Sequence, residues 1–200
     1  MANSLATAFD AFDAFDAFDA FDAKRYEESL SKLLRAIDED LSLDERINAY
    51  NYIGYIYEMG LGVSHDYKQA ATWYEKAAKL DDTNAQFMLG QILRRNFKDN
   101  KNAMFWYEKA ADKNYSPALY QLGIAYDVGD IVERDKEKGE RYLQKASKSG
   151  HFLSRAIIAR KSLRGRYGIL GVFRGLFELF FLPVSASLAK RANPLDERLR

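Results

Sequence analysis

Trp73-Tyr74-Glu75-Lys76-Ala77-Ala78 returns as Trp106-Tyr107-Glu108-Lys109-Ala110-Ala111 and, decayed, as Tyr142-Leu143-Gln144-Lys145-Ala146-Ser147. Upstream of each copy stands a second recurring element: Ala49-x3-Ile53-Gly54-x2-Tyr57, Ala85-x3-Leu89-Gly90-x2-Leu93 and Ala118-x3-Leu122-Gly123-x2-Tyr126. The spacing from Ala49 to Ala85 to Ala118 gives periods of 36 and 33 residues. Periods of this size mark stacks of two-helix units, each burying its apolar face against its neighbour. The chain is therefore expected to be all-α, a solenoid of two-helix repeats.

Within each first helix the Ala, Ile/Leu, Gly and Tyr positions fall at i, i+4, i+5 and i+8, one face of a 3.6-residue period. Glycine inside a helix costs about 1 kcal/mol relative to alanine. Its return at Gly54, Gly90 and Gly123 points to a partner helix that crosses too closely to admit a Cβ. The second helices present Ala70/Trp73/Tyr74/Ala77, Ala103/Trp106/Tyr107/Ala110 and Gly139/Tyr142/Leu143/Ala146. A large aromatic among small residues suits knob-into-gap packing, so Trp73 and Trp106 are expected to be buried.

The loops carry matching punctuation. In Gly60-Leu61-Gly62-Val63-Ser64-His65-Asp66 a glycine stops one helix, Val63 plugs the turn and Asp66 caps the helix that starts at Tyr67. Gly129 to Asp135 repeats this in register, with Val132 for Val63 and Asp135 for Asp66. Ser116-Pro117 reads as a cap followed by proline in the first turn. The middle unit differs: its turn, Asn96 to Asn100, is three residues shorter and lacks both the glycine and the valine.

These spaced positions resemble the Sel-one-like repeat family, tetratricopeptide-related solenoids with the pattern A-x3-LG-x2-Y-x2-G-x-GV-x2-D-x2-KA-x2-WY-x-KAA. The unit from Ala49 to Lys79 matches nearly every element, the unit from Ala85 lacks the loop motif, and the unit from Ala118 has lost the tryptophan. The resemblance implies a right-handed α-α superhelix and a role in assembling protein complexes. For bacterial members it implies envelope, regulatory or virulence-related pathways, and it brings no catalytic residues. The expected organisation is a low-complexity Ala-Phe-Asp segment (1–23), a cap helix and connection (24–44), three repeats (45–81, 82–115, 116–150), a degenerate fourth repeat with a hydrophobic helix (151–192) and a tail (193–200).

Residues 8–22 are five tandem Ala-Phe-Asp triplets. Phe at every third position advances about 300° per step on a helix, so Phe9 to Phe21 wind around it without forming a stripe. A low-complexity tail is one reading. Register supplies another, because Tyr26-x2-Ser29-x2-Lys32-Leu33-x2-Ala36 aligns with Tyr67-x2-Ala70-x2-Trp73-Tyr74-x2-Ala77. The triplets then lie where a first helix belongs, as an imperfect N-terminal cap. Asp13 at the glycine position counts against close packing there.

At the other end, Ser154, Ile158, Ala159 and Ser162 occupy the Ala, Leu, Gly and Tyr positions of a fourth first helix. Gly168 to Leu182, ended by Pro183, is apolar nearly all round but short of the roughly 20 apolar residues of a simple membrane span. Phe173, Leu176, Phe177 and Phe180 are expected to fold over the last repeat as a cap. Membrane-surface contact through residues 168–189 and self-association are the alternatives. Arg160, Lys161, Arg164 and Arg166 just before the segment would attract anionic headgroups.

The formal net charge is +1, with an acidic first forty residues and a basic end. The sequence has no cysteine, which removes disulfides, thiol nucleophiles and cysteine metal sites and suits a reducing compartment. The N-terminus shows no secretory pattern, since Asp interrupts the Phe residues, so the cytoplasm is expected, or the inner face of its membrane if the anchor reading holds. His65 and His151 have no second ligand at metal spacing. No Walker loop, nucleophile elbow or dinucleotide fingerprint occurs, and no basic face interleaved with aromatics points to nucleic acid. The expectation is a non-enzymatic adaptor without cofactors that binds a protein or peptide. Its site is expected on the concave face of the first helices: Asn51, Tyr55 and Glu58, then Phe87, Gln91 and Arg94, then Tyr120, Ile124 and Asp127. A membrane-associated scaffold anchored by residues 168–189 is the alternative.

Overall fold

Asp66 accepts from the backbone N–H groups of Lys68 at 2.9 Å and Gln69 at 3.0 Å, and Asp135 accepts from that of Lys138 at 2.8 Å. Two helices thus start where the repeat motif places them. The structure, a computed structural model, describes residues 16–38, 41–163, Phe173 and Leu176. Among these residues nine helices follow in order: α1 (16–22), α2 (Tyr26–Ala36), α3 (Leu43–Met59), α4 (Tyr67–Lys79), α5 (Thr83–Ile92), α6 (Asn100–Asp112), α7 (Ser116–Val128), α8 (Lys136–Lys148) and α9 (Phe152–Leu163). The fold is all-α, with α3 packed on α4, α4 on α5, α7 on α8 and α8 on α9.

Gly60 and Gly129 end α3 and α7 in the left-handed region, at φ of 64° and 77°. Helix α7 starts one residue earlier than its Ser-Pro signal suggests: Tyr115 stands at the cap and Ser116 is already helical. The short middle loop closes differently. Helix α5 runs straight into a π-helical segment, Leu93–Phe97, and the Asp99 N–H donates to the Leu93 carbonyl at 2.9 Å. A widened backbone turn there replaces the loops of the other repeats, Gly60 to Val63 and Gly129 to Val132.

The chain forms two compact units, one ending at Trp106 and one beginning at Tyr107, both inside α6. In the first unit, Leu30, Leu33 and Ala36 of α2 pack with Ala49, Ile53 and Ile56 of α3 and with Trp73 of α4. A second cluster joins Ala70, Tyr74, Ala77 and Ala78 to Ala85, Leu89 and Ile92. A Cβ on Gly54 would meet the Tyr74 ring at 3.0 Å, so the tyrosine fills the space the glycine leaves. Trp73 is buried in the first of these clusters as expected, and the correction falls on Trp106. Tyr74 is 2% exposed and Tyr107 1%, whereas Trp73 is 9% exposed and Trp106 only half-buried. Tyr74 points at the partner helix α3. The tryptophan lies one residue, about 100°, round the helix. Trp73 packs beside Tyr50, with ring centroids 5.7 Å apart, and carries the Lys76 ammonium 3.7 Å above its ring.

In the second unit α7 and α8 approach at two glycines. A Cβ on Gly139 would lie 2.6 Å from the Asp127 backbone nitrogen and 2.8 Å from the Gly123 carbonyl oxygen. Helix α9 packs on α8 and buries Ser154, Ala159 and Ser162, three of the four positions the repeat register assigns to it.

The last Ala-Phe-Asp triplets are an ordered cap. Ala17 and Ala20 are fully buried, and the Ser29 hydroxyl of α2 donates to the Ala17 carbonyl at 2.8 Å. Phe18 and Phe21 both pack on Tyr52, at 4.9 and 4.7 Å between ring centroids, and Asp16 lies 3.6 Å from Lys32. A three-residue period drifts only about 60° per step, so over two turns Ala, Phe and Asp each keep a face. Phenylalanines at this spacing wind around a long rod but not around a helix of two turns. Asp13 lies outside the described residues.

Phe173 and Leu176 are helical but 66% and 53% exposed, so these two do not form the expected hidden cap. Phe177, Phe180 and the rest of residues 168–189 lie outside the described residues.

Candidate functional site

The nine residues expected on the concave face fall into three columns of different character. The first column is structural. Asn51 is buried, and its amide donates at 3.0 Å to Asp82 Oδ1, which also accepts the Ala85 N–H at 2.7 Å to cap α5. Tyr120 stacks on His151, with ring centroids 4.5 Å apart. His151 Nδ1 accepts the Ser154 N–H at 3.3 Å, capping α9. Asn51 and Tyr120 therefore do the same work: each holds the start of the first helix of the following repeat. Phe87, the corresponding residue between them, is buried.

The third column is also engaged. The Tyr74 hydroxyl donates to Glu58 Oε2 at 2.9 Å. Asp127 accepts from Lys161 Nζ at 2.9 Å, which ties α7 to α9 and takes one cation out of the basic cluster preceding residue 168. Arg94 is half-buried within the π-helical segment. The middle column, Tyr55 and Gln91 in the first unit and Ile124 in the second, is half-buried.

Burial holds the Glu58 carboxyl above the ordinary carboxylate value of 4.5, against the opposing pull of the Tyr74 hydroxyl and the Arg95 charge. Such a group contributes stability that is full below its unfolded pKa and lost as pH rises through the raised folded value. Glu58→Gln keeps an acceptor for Tyr74 but has no proton to lose. Its thermal midpoint should therefore rise relative to wild type as pH increases from about 4 towards neutrality. Parallel midpoint-against-pH curves would contradict this. For Asp127 and Lys161, whose side chains are 29% and 18% exposed, a double-mutant cycle should return a coupling of about 1 kcal/mol.

Both histidines serve the repeat. The carbonyl of Glu58 lies 2.8 Å from His65 Nδ1 and can only accept, so Nδ1 carries the proton. Among the described residues no three His, Asp or Glu side chains gather as metal ligands, and no helix is long and apolar enough to cross a membrane. A shallow cleft of about 190 Å³ is lined by Lys138, Arg141, Tyr142 and Lys145. Lys138 Nζ donates to the Tyr126 hydroxyl at 2.7 Å, and Glu108 and Asp112 lie close enough to act on Tyr142. The lining of the cleft is cationic, with these two carboxylates nearby.

Sequence-family comparison matches the Sel1 repeat to residues 47–82, 83–115 and 116–151. The chain belongs to the Sel1 repeat family. A search of curated proteins returns no significant match. Among solved structures, this Sel1 repeat chain is similar to a Sel1 repeat protein from Oxalobacter formigenes, with a TM-score of 0.71 and 26% identity over 85% of this chain and 69% of that one. It is also similar to c5321, a protective antigen of uropathogenic Escherichia coli with an SLR fold. There the TM-score is 0.62 and the identity 28%, over 69% of this chain and 29% of that one. MamA RS-1 shares the fold, with a TM-score of 0.58 at 22% identity over 88% of this chain and 96% of that one.

The sequence reading missed the double duty of the first and third columns. The signal for it was present: Asp82 and His151 occupy equivalent caps, and Asp127 and Lys161 are one repeat length apart.

Proposed function

We propose that this Sel1 repeat chain is a non-enzymatic adaptor that binds a polypeptide along its first helices, through Tyr55, Gln91 and Ile124. The observation that carries the reading is the contrast between columns. In the first unit Tyr55 stands between Asn51 and Glu58, and in the second Ile124 stands between Tyr120 and Asp127. The hydrogen bonds and stacking of these neighbours fix the backbone beneath them. Gln91 of the first unit is half-exposed near the buried Phe87. Such a display is preorganised, which lowers the ordering cost of association. An aromatic, an amide and an aliphatic group suit an extended peptide, which offers both backbone polar groups and apolar side chains. The lack of cysteine suits a reducing compartment, and the bacterial origin of the Oxalobacter and Escherichia relatives favours a bacterial cytoplasm. Combined Tyr55→Ala, Gln91→Ala and Ile124→Ala should abolish capture of partners from a cell extract while leaving the melting curve within a few degrees of wild type. An unchanged captured set from the folded variant would remove this face from consideration.

A second reading rests on Phe173 and Leu176, two exposed helical apolar residues in the stretch that follows α9. Exposed apolar side chains on a helix favour lipid or a second copy of the chain. Phe173→Glu with Leu176→Glu should then abolish flotation with anionic vesicles without affecting peptide capture. Equal flotation of both proteins would discard the anchored scaffold.

A further inference from the structure

Glu58 and Asp127 hold the same repeat position, nine residues after Ala49 and Ala118, and differ in what they meet. In the second unit Lys161 Nζ donates to Asp127 Oδ1 at 2.9 Å from α9, the first helix of the following repeat. Lys161 stands seven residues after Ser154, which holds the alanine position of that repeat. Seven residues after Ala85, at the equivalent place in α5, stands Ile92, which is buried and brings no charge. Glu58 is half-buried, and its Oε2 accepts from the Tyr74 hydroxyl at 2.9 Å. Among the described residues no lysine or arginine forms an ion pair with it. The exposed Arg95 of the π-helical segment acts on it through its charge alone. The first unit therefore has the carboxylate of the pair without the ammonium.

We infer that Glu58 is the seat for a lysine ammonium of the bound polypeptide, which completes in the first unit the pair that Lys161 completes in the second. The inference rests on the reading that the partner lies along Tyr55. Tyr55 precedes Glu58 by three residues on α3, the spacing of neighbours on one helix face. The Glu58 charge reaches the Tyr55 hydroxyl, so a second acceptor oxygen lies near the seat. Lysine fits this seat better than arginine. A guanidinium takes both oxygens of a carboxylate in a fork, and Oε2 is already held by Tyr74. One remaining oxygen suits a point charge, as at Asp127, where Lys161 reaches Oδ1. Burial is the largest influence on the Glu58 carboxyl and opposes its charge, so an arriving ammonium offsets a cost the fold already bears.

Random linear peptides displayed on phage and selected on the whole chain supply the probe. Those whose binding is lost in Tyr55→Ala should share a lysine at one position. A synthetic peptide from this set should bind the wild type about tenfold more tightly than the same peptide with norleucine in place of the lysine. Arginine at that position should fall between the two. In Glu58→Gln, which keeps an acceptor for Tyr74, the lysine and norleucine peptides should bind alike. Tyr55-dependent peptides with no shared lysine, or a lysine preference that survives in Glu58→Gln, overturn the seat and leave the peptide-binding face standing. Norleucine that binds the wild type as tightly as lysine overturns the seat without any variant. A selection that yields no Tyr55-dependent peptide removes the face and the seat together.

Discussion

Gly139→Ala is expected to destabilise the second unit by about 2–3 kcal/mol, although alanine is intrinsically the better helix former by about 1 kcal/mol. The added methyl would sit 2.6 Å from the Asp127 nitrogen, 2.8 Å from the Gly123 oxygen and 3.1 Å from the Asp127 Cα. All three are backbone atoms of α7 and cannot rotate away. Relief requires the helices to part, which loosens Leu143 from the gap at Gly123, where a Cβ would lie 2.7 Å from the leucine. Urea unfolding followed by circular dichroism measures the effect. An unchanged or raised midpoint would show that the crossing has slack and that the repeated glycine is there for another reason.

Tyr74→Ala should cost about 3–5 kcal/mol, against about 1–2 kcal/mol for Trp106→Ala, reversing the order that residue size suggests. Tyr74 is buried between α3 and α5 and fills the space beside Gly54, so its loss leaves a cavity that the backbone cannot easily close. Trp106 is half-buried, and Phe105 beside it is 48% exposed. Tyr74→Phe isolates the hydroxyl and its bond to Glu58. Burial, followed by the Glu58 charge, pushes that hydroxyl well above the ordinary tyrosine value of 10.0. Its share of stability is therefore full below pH 10 and lost as pH rises further, so Tyr74→Phe should soften the alkaline unfolding of the wild type. Equal losses for Tyr74→Ala and Trp106→Ala would restore the tryptophan as the core residue.

The sequence made the helix pairs legible because a repeat states its own register three times. Asp66 and Asp135 cap the helices assigned to them, and Ala159 is buried at the glycine position of a fourth repeat. Local signals of one or two residues, such as an aspartate cap or a left-handed glycine, survive without tertiary context. The depth of Tyr74 relative to Trp73 did not, since both lie on the inner half of α4 and only the position of Gly54 chooses between them. The candidate face was legible as a row of positions and not as a set of roles. Nothing local says that Asn51 will reach the cap at Asp82, or Asp127 the lysine at 161, because both bonds join helices of successive repeats. The π-helical closure at Leu93–Phe97 was visible only as a missing motif. A shortened loop declares that the turn differs without declaring how.

The docked α1 has a genetic corollary. Because the triplets are identical, an in-frame deletion of one coding unit anywhere between residues 8 and 22 yields the same polypeptide, whichever copy is lost. Five copies can fall to three while the string Asp-Ala-Phe-Asp-Ala-Phe-Asp still precedes Ala23 unbroken. A third copy removed would take the aspartate that faces Lys32. Replication slippage, the usual hazard of a tandem tract, is therefore harmless to this cap over a range of lengths. Natural isolates should vary in triplet number down to a floor of three.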